Sequence, residues 1–274
     1  MNALAPPANK PNSAQQLPSL SLFYLLALVT SSCIMFGVHE SIPTSPGEPS
    51  PENPFWKWTF RLSNVFIGTL CITGLVVVLK QWTLSKRFAP WPGYQMLLIA
   101  GSAMVFKVLG DYFLGVDFRA FNQPNGFSVE EAQRWLNQWN TFKIITLLIV
   151  AALTLQGFFK YPWWWKITFG ALTTFYVSKV ILLFLRSNMT FQISKLASYE
   201  LLASISKFTH WVFIAFFAAL TASVIIDLLT KCNSRKDWVH WLGIAAVVVT
   251  FLLPATILWF ATQYLSAGDL YSFE

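Results

Sequence analysis

Apolar runs of about 20 residues recur along this chain, and at 1.5 Å of rise per residue each is long enough to cross the hydrocarbon core of a bilayer. Backbone groups inside lipid must be satisfied within the segment, and these runs are continuously apolar rather than alternating, so they read as helices and not as barrel strands. Seven such segments are expected, at 18–38, 61–80, 93–115, 142–159, 166–186, 209–229 and 239–262. The composition agrees: 55% of the 274 residues are hydrophobic and 11% are charged, against roughly 25% charged in ordinary soluble domains. The expected fold class is therefore all-α, a polytopic transmembrane bundle, and a soluble enzyme is excluded. The Pro-, Asn- and Gln-rich stretch 1–17 reads as a flexible leader, 18–265 as the membrane domain and 266–274 as a short outer tail.

Orientation follows from the short loops, because lysine and arginine resist translocation. The side holding the N-terminus carries nine basic residues (Lys10, Lys80, Lys86, Arg87, Lys160, Lys166, Lys231, Arg235, Lys236) against two acidic ones, and the opposite side eight against nine. That bias predicts a cytoplasmic N-terminus and, after seven crossings, an outer C-terminus. The expected location is a bacterial inner (plasma) membrane. The net charge of +7 is then explained by cytoplasmic loops, and nucleic acid is not a partner. All 13 tryptophans fall within a few residues of a segment end, the pattern of two interfacial belts.

Two outer loops have a character of their own. Ser41 to Pro54 holds five prolines, which favours an extended spacer or partner-facing arm. Ser128 and Glu131 form an S-x-x-E capping box, which predicts an interfacial helix over about 129–141 with Trp135, Leu136, Trp139 and Phe142 along one stripe, leading into the fourth crossing. Pro254 inside the seventh segment removes one helical hydrogen bond and predicts a kink. Gly68, Gly74, Gly101, Ala103 and Gly170 are the small residues expected at close helix contacts.

Ionisable groups at membrane depth are costly and tend to mark a pathway or a helix lock. Lys107 and Asp111 lie four residues apart on one face of the third helix, a spacing that allows an ion pair. Lys179 on the fifth helix shares a face with Tyr176 and, two turns on, Arg186. If the third and fifth helices pack together, these five residues form an outward-facing basic cluster able to bind an anion or relay protons. Asp227 and Lys231 repeat the four-residue spacing at the inner end of the sixth helix and read as an interfacial pair.

Catalytic and cofactor signals are missing. The histidines, His39, His210 and His240, are expected at the two surfaces, unsuited to haem or a di-iron cluster, and neither a metal site nor a cofactor is expected. Cys33, Cys71 and Cys232 offer no CxxC pair. The run before Cys33 resembles a lipoprotein signal in outline, but the apolar stretch continues through Val38, so an uncleaved first helix is expected. No lysine follows Lys236, which excludes a retinal Schiff base in the seventh helix, and no G-x-S-x-G, H-E-x-x-H, P-loop or dinucleotide fingerprint occurs. Three readings remain. The first is a non-catalytic membrane subunit or assembly factor, with protein partners besides the bilayer. The second is a small transporter or channel using Lys107, Asp111 and Lys179, and the third a membrane-embedded enzyme acting on a lipid.

Overall fold

The computed structural model describes residues 22–41, 54–85, 91–121, 129–189, 195–230 and 238–264. They form seven helices: α1 (Leu22–Ser41), α2 (Pro54–Ser85), α3 (Pro92–Phe121), α4 (Val129–Lys160), α5 (Trp163–Met189), α6 (Lys195–Leu229) and α7 (Trp238–Tyr264). No strand occurs among the described residues. Six of these helices, α2 to α7, are long and apolar enough to cross a membrane; the apolar part of α1, Phe23–Gly37, is shorter. The chain is an all-α polytopic bundle. The leader, the proline-rich arm and the outer tail expected from the sequence lie outside the described residues, apart from Ser41 and Pro54 at the edges of the arm.

Local sequence explains several helix ends. α2 and α3 open on Pro54 and Pro92, and α5 directly follows Pro162, whose carbonyl accepts the Lys166 amide at 3.0 Å; proline's fixed φ suits a first turn, where its missing N–H costs nothing. Glu130 and Glu131 occupy the first turn of α4 and Lys160 its last, each matching the sign of the helix dipole at that end. α4 is one continuous helix from Val129 to Lys160, so the segment expected at 129–141 and the fourth crossing are a single element. Its start is fastened to α3: the Trp135 indole donates to the Leu114 carbonyl at 2.7 Å, Trp139 is buried, and Phe142 lies against Gly110. Leu136, on the same expected stripe, stays exposed. α7 runs through Pro254 as one helix.

Consecutive helices pack in order from α1 to α6, and α7 returns to lie against α2 and α3. Connections alternate between two ends. Gly93 meets His240, Tyr161 reaches Trp91 and Trp165 reaches Asp227 at the end with the lysine-rich loops, called here the basic end; Leu114 and Trp135 meet near the other, acidic end. At the basic end α3 and α7 interlock through Gly93 and Gly243, where a Cβ on either glycine would run into the backbone of the other helix. Of the small residues expected at contacts, Gly101 is close to Leu75 and the Cys71 carbonyl, and Gly68 and Gly74 are filled against by Met35 and Leu97. Gly170 has only ordinary contact with Phe158.

Along α3, α5 and α7 burial declines from the basic towards the acidic end. Residues 92–101 of α3 are buried without interruption, whereas 102–108 are half-buried. Beyond Val247 in α7 and beyond Ser178 in α5, no described side chain is fully buried. One core cluster runs through Cys71, Met96, Ile99, Trp165, Phe169, Phe175, Phe216 and Val247, joining side chains of α2, α3, α5, α6 and α7. At mid-depth it ends in a group of rings, Phe175, Phe213, Phe216 and Phe251, with centroids 5.6 to 6.0 Å apart from α5 and α6 to α7.

Candidate functional site

The densest polar arrangement lies inside the basic end. Asp227, near the end of α6, is only 2% exposed. Its Oδ1 accepts the Trp164 indole N–H at 3.2 Å and its Oδ2 the Trp165 indole N–H at 3.0 Å. Two charge-assisted bonds from neutral donors offset part of the cost of holding a carboxylate in an apolar core. His240, on the first turn of α7, is fully buried; its Nε2 stands 3.8 Å from Asp227 Oδ2, and its Nδ1 accepts the Gly93 backbone N–H at 3.0 Å. Four helices, α3, α5, α6 and α7, therefore meet at one carboxylate–imidazole pair.

A polar seam continues from this pair. Ser223 donates to the Trp164 carbonyl at 2.9 Å, so the Thr168 hydroxyl supplies the proton of the 2.9 Å contact between them. Buried Gln95 of α3 donates to the Leu153 carbonyl of α4 at 2.8 Å, and Thr173 of α5 to Thr154 of α4 at 2.8 Å. Tyr161, between α4 and α5, donates to the Trp91 carbonyl at 3.1 Å, and burial pushes its phenol above the usual range, which keeps it a donor. Cys71 of α2 faces Thr250 of α7 at 3.3 Å; since Thr250 donates to the Ala246 carbonyl, the thiol is the donor between them.

The sequence-derived cluster lies in the other half. Lys107 is half-buried on α3, three and four residues beyond Met104 and Ala103, which pack on the core, so it continues the core-facing stripe of that helix. Lys179 of α5 does the same, one turn beyond Phe175 and two beyond Leu172, yet it is exposed, with its amine 5.5 Å from the Phe175 ring. Both helices start at the basic end, and both lysines sit about 22 to 24 Å along them at 1.5 Å per residue. Tyr176 packs half-buried against the core, edge-on to Phe175. The side chains of Asp111 and Arg186 lie outside the described set. The principal neighbours of α3 are α2, α4 and α7, and those of α5 are α4 and α6, so these two helices meet through core side chains rather than along their backbones.

The basic-end cluster leaves no direct mark in the sequence. Asp227 was expected at the interface beside Lys231, and His240 at the inner surface; both are buried, and Lys231 lies outside the described residues. The Trp163–Trp165 run held the available signal. Trp163 is exposed in the manner of a belt residue, while Trp164 and Trp165 turn inward as donors. Among the described residues no three His, Cys, Asp or Glu side chains gather as a metal-holding group.

Fold and site together define an integral membrane protein of several spanning helices with a polar fastening inside one end and looser cover along α3, α5 and α7 towards the other. The chain matches no family model, no curated protein and no solved structure.

Proposed function

We propose that this chain is a non-catalytic membrane subunit or assembly factor of a larger complex, whose acidic half receives a protein partner. One observation carries the reading: core-facing stripes of α3, α5 and α7 that are sealed in the basic half stay half open beyond the phenylalanine group. Core-facing positions left uncovered along otherwise packed stripes support the reading, because a partner helix would complete the close packing that holds helices together in lipid. The charge bias of the loops supports placing the N-terminus and the basic end in the cytoplasm. Native mass spectrometry of the protein gently extracted from its own membrane tests the proposal. Stoichiometric foreign subunits support it, and a bare monomer or homo-oligomer carrying a solute or lipid rejects it.

Lys107 and Lys179 favour a second reading. Two lysines on core-facing stripes at matched depth suit a small transporter or channel for an anion, with Asp111, Tyr176 and Arg186 beside them in sequence. In that case Lys179→Met abolishes solute flux in proteoliposomes while folded yield is kept. Under the subunit reading it weakens partner retention instead.

A further inference from the structure

We infer that Asp227 and His240 form a proton-binding site that ties protonation to the fit of α7 against α3 at the basic end. The inference stands apart from the choice between subunit and transporter.

The argument begins with the tautomer. Gly93 N–H donates to His240 Nδ1 at 3.0 Å, so Nδ1 presents a lone pair. The ring is then the neutral tautomer with its proton on Nε2, and Nε2 faces the Asp227 carboxylate at 3.8 Å. Asp227 is the titratable group facing the ring from α6. α3 brings the Gly93 amide, α5 the Trp165 ring edge-on at 6.0 Å, and α7 itself the neighbouring Trp241 ring at 5.0 Å.

A second proton on the ring has one place to go, which is Nδ1. There it sets an N–H against the N–H of Gly93, and that hydrogen bond is lost. The imidazolium so formed gains Coulombic attraction to Asp227, whose charge is already held in place by Trp164 and Trp165. Protonation therefore draws His240 towards α6 and releases it from α3.

The surrounding backbone gives this change a mechanical consequence. Gly93 and Gly243 interlock α3 and α7 so closely that neither tolerates a Cβ. Packed contacts of this kind are bistable rather than continuously deformable, so losing the amide bond at their centre opens the α3–α7 seam instead of stretching it. The ligand of the site is the proton, and the responding element is the start of α7.

Two measurements on the full chain in lipid nanodiscs test the inference. The first is 15N NMR of histidine-labelled protein, with the His240 signal assigned by removing His39 and His210. The Nε2–H tautomer is expected at neutral pH, and an Nδ1–H tautomer overturns the proposal. The second is hydrogen exchange at the Gly93 amide, corrected for the intrinsic pH dependence of exchange, across the imidazole range between about pH 8 and about pH 5. Protection should fall about tenfold with acid, the worth of one hydrogen bond, in the unaltered protein. It should not change in His240→Gln, whose amide oxygen still accepts from Gly93 but does not titrate. Constant protection in the unaltered protein, or an equal loss in the variant, refutes the coupling. If His240→Gln fails to fold, the NMR tautomer and the wild-type exchange profile still decide.

Discussion

The two halves of this bundle are built from the same helices and differ in what fills the space between them. In the basic half, α3 and α7 touch backbone to backbone at Gly93 and Gly243, and polar side chains bridge the seams: Asp227 to two indoles, Gln95 to α4, Ser223 to the Trp164 carbonyl. In the acidic half, large phenylalanines hold α5, α6 and α7 around mid-depth, and beyond them the core-facing positions include exposed Lys179 and half-buried Lys107. Between helices in lipid, association depends on close packing and interhelical hydrogen bonds rather than on a hydrophobic drive. The basic half has both. Among the described residues the acidic half has fewer of either, and the proposed partner or solute site rests on that difference.

This contrast can be broken at its strongest point first. Gly93→Ala should abolish the folded protein, seen as loss of the monodisperse peak in size-exclusion chromatography, because its methyl meets the His240 backbone. Gly37→Ala, where nothing lies within 4 Å, should leave the yield unchanged. If Gly93→Ala folds normally, the tight half is not tight. Next, Asp227→Ala removes the acceptor of both indoles and should cost about 2–5 kcal/mol in reversible unfolding, with Asp227→Asn costing less because its amide oxygen accepts one bond. Thr173→Val severs one bond to Thr154 and should cost about 1 kcal/mol by the same measurement. Smallest of all is Lys179→Met: stability should stay within about 0.5 kcal/mol of the unaltered protein, while partner retention or solute flux falls. A large loss of stability at Lys179 would erase the distinction between the halves.

Much of the architecture could be read from the chain directly. Apolar run lengths locate all seven helices, but the sequence counts seven crossings where six helices are long and apolar enough. α2 and α6 begin at Pro54 and Lys195, ahead of the expected 61 and 209, because first turns that include charged residues carry no continuous apolar signal. Gly68, Gly74 and Gly101 were legible as contact residues, while Gly93 and Gly243, which make the closest approach, were not, because which glycine faces a neighbour depends on the helix's rotation. The basic-end cluster was hidden for the same reason. Asp227, His240 and Trp165 sit on three different helices and near segment ends, where a polar residue is expected to meet water or headgroups. Lys107 and Lys179 stood out because charge within a hydrophobic run is conspicuous without any knowledge of packing.

What the sequence determined alone is periodic and local: the helical class, the number of elements, the charge bias between two ends, and the depth of each polar residue along its own helix. Depth follows from counting residues, since each adds a fixed rise. What only the tertiary structure decided is lateral. It set which helices are neighbours, turned Trp164 and Trp165 inward to Asp227 while Trp163 faces out, and returned α7 to α2 and α3 so that Gly93 meets His240. Rotation about a helix axis and choice of neighbour are fixed by the fit of side chains across the whole bundle, and no single segment carries that information.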